Sequence, residues 1–229
     1  MGSGTHGPEL TFSTSCRRCQ RLAAHLSDIR NAHPAYYARP VPSFGPQGSL
    51  LLIVGLAPGL HGANRTGRPF TGDHAGLLLY RTLHRFGFAD RSQSTSVDDG
   101  LRLIDCRITN AVRCVPPGNK PTGQEIGICN AYLREEIAYL PPAAAVLALG
   151  GIAHSAILRA CALPLSRYPF AHAAAHPLPD ALTLFDSYHC SRYNTQTGRL
   201  TEAMFTAVFT QIRRHLERSR AGFNGAAAP

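Results

Sequence analysis

The sequence has few acidic residues and no long hydrophobic run. No uninterrupted apolar stretch approaches the roughly 20 residues that a membrane-spanning helix needs, so we expect no membrane association. The first residues also lack the basic and then apolar order of a secretory signal peptide. We therefore expect a soluble, cytoplasmic protein.

The scarcity of acids leaves a strongly basic chain. There are 14 acidic residues against 23 lysines and arginines, which gives a formal net charge of +9. The arginines fall along the whole chain, so the excess charge is expected on the folded surface. A basic surface favours a polyanion, with nucleic acid as the first candidate, although a surface that only aids solubility remains an alternative.

The length of 229 residues suits a single domain spanning 1–229, in which we predict that 1–15 form a flexible arm. Apolar runs alternate with stretches of helical periodicity, and this alternation predicts an α/β protein. The expected fold is a three-layer α/β/α sandwich with a small, about four-stranded, parallel central sheet. The predicted strands are 49–56, 108–112, 144–149 and 181–187, and the predicted helices are 20–32, 76–86, 124–140, 151–160 and 199–218.

The most unusual segment follows the first predicted strand and spans residues 55–73. It holds five glycines, two prolines, two arginines and a single acid, Asp73. Glycines allow the backbone to approach a ligand closely, and arginines favour an anionic partner. Ligands of open α/β sheets bind at the carboxyl ends of the strands, which is where this segment begins.

The cysteines suggest a metal centre instead of disulfides. Their number, seven, is odd, and a disulfide framework is not expected without a secretory signal. Cys16 with Cys19 and Cys114 with Cys129 form two pairs that can supply four thiolates to one centre, either zinc or an iron–sulfur cluster. The alternative is that all are reduced packing cysteines, as we expect for Cys106, Cys161 and Cys190.

Three polar residues follow predicted strand ends and can converge at one edge of the sheet, namely Asp73, Asn110 and His189. Each has an ordinary structural explanation when it is considered alone. Asp73 can cap the next helix, Asn110 can satisfy a strand end, and His189 can be a hydrogen-bonded core histidine. The argument for a functional site depends on all three together.

Three motifs in the chain resemble those of the uracil-DNA glycosylase superfamily, and in particular its family 5, the type-b enzymes of bacteria and archaea. They are GLAPGLHGANRTGRPFTGD at 55–73, TNAVRC at 109–114 and HCSRYNTQTGRLT at 189–201. The resemblance implies the uracil-DNA glycosylase-like fold. It also implies a structural [4Fe–4S] cluster, with zinc as the alternative, bound by the four paired cysteines.

The resemblance further implies roles for single residues. Phe70 is expected to stack on a base flipped out of DNA, Asn110 to pair with the edge of that base, and His189 to donate to its 2-carbonyl oxygen. Some other families place an acid or an amide where this chain has Ala57, so we expect Asp73 to act as the general base for the attacking water or as the electrostatic partner of the sugar cation. The remaining expected contacts are Gly55, Ala57 and Gly59 for the base, and Arg65, Arg68, Ser191, Arg192, Tyr193 and Asn194 for DNA.

The expected activity is that of a monofunctional, monomeric glycosylase in base excision repair. It would hydrolyse the N-glycosidic bond of uracil, and also of hypoxanthine or xanthine, in double-stranded DNA of a bacterial or archaeal nucleoid. Cys190 stands where the superfamily often has proline, and this change puts the excision rate in doubt. The alternative is a lesion-sensing DNA-binding protein on the same fold that performs no catalysis.

Overall fold

The computed structural model describes residues 12–225 of the chain, which contain five strands and seven α-helices. The strands are β1 Leu51–Gly55, β2 Cys106–Asn110, β3 Ala145–Leu149, β4 Ala175–Pro177 and β5 Thr183–Ser187. The helices are α1 Gln20–Ala32, α2 Ala63–Thr66, α3 His74–Arg85, α4 Gly123–Ala138, α5 Gly151–Ala160, α6 Arg192–Gln196 and α7 Glu202–Gly225.

The strands form one sheet in the order β2-β1-β3-β5-β4. Four of them run parallel, and only the edge strand β4 is antiparallel to its neighbour β5. Side chains of β1 alternate between the two faces: Leu51 and Ile53 enter one hydrophobic cluster, while Leu52 and Val54 enter the other. Such burial on both faces explains why the strand reads as a continuous apolar run.

Helices cover both faces and complete three layers. The cluster on the Leu51 side contains residues of α3 and α7, and the cluster on the Leu52 side contains residues of α1, α4 and α5. This arrangement confirms the predicted α/β/α sandwich. Within the described part of the chain, no helix is both long and apolar enough to cross a membrane.

The sequence predicted the long elements and missed the short ones. The bounds of α1 are confirmed, and the four predicted strands are all present, with ends that differ from the predicted ones by at most two residues; β2 begins and ends two residues earlier than predicted. The expected four-stranded sheet has a fifth strand, β4, which went unnoticed because its three residues lack an apolar face and end at Pro177. Helices α2 and α6, of four and five residues, were too short to show periodicity.

Of the predicted N-terminal arm 1–15, residues 1–11 lie outside the described residues. From Phe12 onward the chain packs on α4. The Phe12 ring meets the Tyr132 ring edge-on at a centroid distance of 5.4 Å, and the Arg113 guanidinium lies 5.0 Å from the Phe12 ring centre. Residues 12–15 are therefore anchored by Phe12.

Glu136 of α4 joins the helix layer to the sheet through two arginines. Its carboxylate binds Arg107 of β2 and lies 2.9 Å from the Arg113 guanidinium, whose side chain is only 3% exposed. Arg113 also donates to the Ser43 hydroxyl at 2.6 Å. Burial by itself would raise the pKa of Glu136, but the arginines and Ser43 outweigh it, and the net effect lowers that pKa.

We predict that Glu136→Gln lowers the free energy of unfolding by about 3–5 kcal/mol, because it leaves the buried Arg113 without its counter-charge. The measurement is urea unfolding at pH 7. The control is Glu202→Gln, which removes an exposed partner of Arg81 and should change stability by less than about 0.5 kcal/mol.

The same network sets a pH dependence. Because folding lowers the pKa of Glu136, its stabilisation is present above its unfolded pKa of about 4.3 and is lost as pH falls through the folded pKa. The stability difference between the wild-type protein and Glu136→Gln should therefore shrink on acidification below about pH 4.5. A difference that stays constant down to the acid transition would contradict this account.

Candidate active site

A pocket of about 470 Å³ opens at the carboxyl ends of β1, β2 and β5. Four of the residues predicted from sequence line it together: Phe70, Asp73, Asn110 and His189. The predicted convergence is therefore confirmed, and it follows from the parallel strands, whose carboxyl ends share one edge of the sheet. The chemical roles of these residues remain predictions.

Gly55 allows the floor of this pocket to form. It is paired with Asn110 across the β1–β2 register. A Cβ atom at position 55 would overlap the Asn110 side-chain oxygen and would lie 2.6 Å from the Phe70 ring. The amide and the ring can therefore approach the strand end only because residue 55 has no side chain.

Phe70 is held rigidly in an unusual conformation. Its φ angle is +54°, in the left-handed region that bulky residues rarely adopt, and its side chain is buried. The buried Tyr80 hydroxyl fixes the preceding peptide by donating to Pro69 O at 2.8 Å. The Phe70 ring lies nearly parallel to the His189 ring, with 6.0 Å between centroids. Both rings thus line the pocket in fixed positions.

Asp73 serves the helix and the pocket at the same time. Its Oδ1 accepts a hydrogen bond from Gly76 N at 3.1 Å, so Asp73 is the N-cap of α3. This is the structural role that the sequence predicted for Asp73 considered alone. The second oxygen, Oδ2, lies against Gly62, where a Cβ atom would overlap the carboxylate. The cap bond orients the carboxylate, and the glycine leaves room for it beside the pocket.

His189 is held in its neutral form. Burial lowers its pKa, and the nearby Asp73 carboxylate opposes that shift without reversing it. Two hydrogen bonds stabilise the loop that carries His189. The Asn194 amide donates to His189 O at 2.8 Å, and the Ser191 hydroxyl caps α6. At neutral pH the imidazole can therefore act as an uncharged hydrogen-bond donor.

Asn110 has an amide that is free to bind a ligand. The residue is 4% exposed and lines the pocket, and among residues 12–225 no hydrogen-bond partner of its side chain is found. A buried amide normally finds a partner, so one that lines a pocket unpaired is suited to bond whatever enters.

The predicted DNA contacts separate into exposed and buried groups. Arg65, Arg192 and Tyr193 are exposed, Tyr193 by 70%, and Arg192 also lines the pocket. Their role stays a prediction, as does that of Ser191, which lines the pocket as well. The Asn194 side chain donates one hydrogen bond inside the protein, to His189 O, and its contact with DNA also stays a prediction.

The prediction for Arg68 is wrong. Its side chain is 5% exposed, lies 2.6 Å from the Asp99 carboxylate and covers the Phe44 ring at 4.4 Å. Arg68 neutralises a partly buried acid from the loop before β2, and its guanidinium is engaged inside the protein and not at the surface.

Sequence reasoning missed several pocket residues. The remaining lining residues are Leu56, Ala63, His74, Ala75 and Asn119, together with the expected Ala57 and Gly59. Asn119 is at the end of a 3₁₀ turn, Pro117–Asn119, in which it and Gly118 both have positive φ. The Pro-Pro-Gly-Asn sequence signals a turn, but no local pattern shows that the turn reaches the pocket.

The four paired cysteines meet in a separate place. Cys16, Cys19, Cys114 and Cys129 line one small cavity between α1, α4 and the end of β2. The Arg113 backbone N–H donates to Cys129 Sγ and the Tyr132 hydroxyl donates to Cys16 Sγ, each at 3.4 Å. Burial, reinforced by the other thiols and Glu125, raises the pKa of Cys19 to about 11.

The other cysteines are packed elsewhere. Cys106 and Cys190 are fully buried in the cluster on the Leu51 side, and Cys161 packs against the opposite cluster. Cys190 follows His189 directly, and burial, with a smaller contribution from Asp73, raises the pKa of its thiol to about 12. It is a core residue of the loop that carries the pocket histidine.

Comparison with known proteins identifies the family. The model of the uracil DNA glycosylase superfamily matches residues 42–213. The chain is 47% identical to a type-5 uracil-DNA glycosylase of Thermus thermophilus over 88% of this chain and 94% of the relative. It is 41% identical to the type-5 enzyme of Mycobacterium leprae, over 93% and 98% respectively. A type-4 uracil-DNA glycosylase of Pyrobaculum aerophilum matches 54% of the chain at 36% identity. The chain therefore belongs to the uracil-DNA glycosylase superfamily and, within it, to the type-5 group.

Proposed function

We propose that this protein is a DNA repair glycosylase that flips uracil out of DNA and hydrolyses its N-glycosidic bond, leaving an abasic site. The observation that carries the proposal is the convergence of Phe70, Asp73, Asn110 and His189 on one pocket. Membership of the type-5 group supports the same activity, since the relatives carry that name. The substrate is DNA, and we further propose that a monomer acts on duplexes in the nucleoid.

The pocket can recognise a flipped base by its face and by its edge. Phe70 offers a fixed aromatic surface on which a base can stack. Asn110 offers an unpaired amide, which supplies both a donor and an acceptor for the Watson–Crick edge of the base. The strained Phe70 backbone and the bond from Tyr80 keep this surface in place before the base arrives.

His189 can stabilise the leaving base. Cleavage of the N-glycosidic bond leaves its electron pair on uracil, and negative charge builds on the 2-carbonyl oxygen. A neutral imidazole that donates a hydrogen bond to this oxygen stabilises the transition state without first losing a proton. The lowered pKa of His189 supports this role.

Among residues 12–225, Asp73 is the only acid that lines the pocket. A water molecule must supply oxygen to the sugar C1′ as the bond to the base breaks, and its proton needs an acceptor. Asp73 can accept that proton or stabilise the positive charge on the sugar, whereas Ala57 offers no polar group. Asn119 adds an amide to the lining that can hold the water by hydrogen bonds.

We also propose that the substrate range includes hypoxanthine and xanthine. The small side chain of Ala57 leaves space in the pocket where a larger polar residue would narrow it. A lesion sensor without catalysis remains the competing function.

The assay that tests the function uses duplexes with a single uracil, hypoxanthine or xanthine, followed by alkali to break abasic sites. We expect strand breaks at uracil under single-turnover conditions, and weaker breaks at the two purines. Binding to all three duplexes without any break would support the lesion-sensing alternative.

We predict that Asp73→Asn lowers the single-turnover rate of uracil excision by about 10²–10⁴-fold, because it removes the carboxylate that handles water. Asparagine is also a good N-cap, so the melting temperature should stay close to that of the wild-type protein. Asp73→Ala, which removes both the charge and the cap, should lose stability as well. Full excision by Asp73→Asn would disprove the proposed role.

We propose that the four paired cysteines hold a structural [4Fe–4S] cluster, with zinc as the alternative. The four thiols line one cavity, so they can supply four sulfur ligands to one centre. The N–H and O–H donors to two of the sulfurs fit the hydrogen bonds that tune such a cluster.

We predict that Cys114→Ser abolishes the visible iron–sulfur absorbance of the purified protein and lowers its melting temperature, because it removes one ligand of the cluster. Cys161→Ser is the matched control, since Cys161 lies outside the cysteine cavity and should keep the full absorbance. A colourless wild-type protein with one equivalent of bound zinc would favour the alternative metal.

A further inference from the structure

A groove of about 330 Å³ carries positive charge on a surface distinct from the base pocket. Its charged side chains are Arg17, which lies between two of the paired cysteines, Arg30 of α1 and Arg39 of the following loop. The hydroxyl residues Thr14 and Ser15 also line it, together with Cys16 of the paired cysteines. We call the surface defined by these six residues the arginine groove.

No acid balances these charges. Within residues 12–225, no acidic side chain lines the arginine groove, and none of its three arginines is in an ion pair. Only Arg30 has a backbone partner, since it donates to Ala38 O at 2.8 Å. A cleft lined by one sign of charge concentrates its electric field and attracts an anion, which relieves the repulsion between the cations.

The arginine groove is connected to the base pocket by backbone hydrogen bonds. Ala38 N donates to Asn64 O at 3.0 Å, and Tyr37 N donates to Arg65 O at 3.1 Å. Asn64 follows Ala63, which lines the base pocket, and Ala38 precedes Arg39. Standard bond lengths then place the Cα atoms of Ala63 and Arg39 at most about 15 Å apart.

We propose that the arginine groove binds the phosphate backbone of DNA within a few nucleotides of the flipped base. This inference rests on the proposed function, because it assumes that DNA enters the base pocket. Charges on one strand recur about every 3.4 Å along the duplex axis, so a separation of 15 Å corresponds to about four nucleotides. Guanidinium groups bind phosphate oxygens in pairs, and serine and threonine hydroxyls add single contacts.

The test compares two double variants that remove the same charge. Arg17→Ala/Arg39→Ala removes two cations of the arginine groove. The matched control, Arg214→Ala/Arg218→Ala, removes two exposed cations from α7, on the opposite face of the sheet. Binding is measured from 50 to 300 mM salt with a 25-base-pair duplex that carries an uncleavable abasic analogue.

We predict that the groove variant binds this duplex about tenfold more weakly at low salt, and that its log–log salt slope is smaller by about 1.8, since each lost phosphate contact contributes about 0.9. The control variant should keep the wild-type slope. Arg17 is next to a cysteine of the metal centre, so Arg39→Ala alone is the second variant, with an expected decrease in slope of about 0.9.

Neutral methylphosphonate linkages locate the contact. When they replace the phosphates up to four nucleotides on either side of the abasic analogue, the groove arginines lose their anionic partner, and the groove variant should bind as tightly as the wild-type protein. An unchanged slope on the unmodified duplex, or an equal loss of affinity on both duplexes, would overturn the proposal. Because the analogue cannot be cleaved, the outcome is independent of excision: groove-dependent binding without strand breaks would contradict only the proposed function.

Discussion

The backbone of Gly55 contacts the Asn110 amide and the Phe70 ring directly, and the base pocket is built around this contact. The parallel pairing of β1 with β2 fixes which residue lies opposite Gly55, and the buried strand interior fixes that register. A shift of one residue would exchange the two faces of β1 and separate its hydrophobic side chains from both clusters. The geometry of the site is thus a consequence of how the core packs.

A second constraint links the cavity of the four paired cysteines to the base pocket. Arg113 donates its backbone N–H to Cys129 while its side chain is held by Glu136, so the end of β2 is fixed on both sides. The loop that follows is clamped by Arg21, which binds Glu125 at 2.7 Å and Lys120 O at 3.2 Å. Asn119 at the end of the turn is therefore positioned by the same segments that hold the cysteines. The cavity of the paired cysteines is thus linked to the base pocket through the chain between Cys114 and Cys129.

The sequence alone predicts those elements whose structure depends on interactions between residues close together in the chain. The buried parallel strands and α1 follow from apolar runs and helical spacing, and the convergence of Asp73, Asn110 and His189 follows from parallel topology. Arg65 and Arg68 show what the local sequence cannot predict. Both lie in the same glycine-rich segment, but only Arg68 is buried, because it pairs with the distant Asp99. Asn119 and β4 were missed for a related reason: distant contacts place them, and no periodic pattern marks them.

Cys190 has a consequence for how the histidine loop is ordered. A proline at this position would restrict the unfolded chain and so reduce the entropy lost on folding. The cysteine gives no such restriction, and the order of the loop must come from folded-state bonds such as the one from Asn194 to His189 O. Hydrogen bonds in the folded loop weaken on heating, whereas the restriction that a proline places on the unfolded chain does not. The position of His189 is thus expected to be among the more temperature-sensitive features of the pocket.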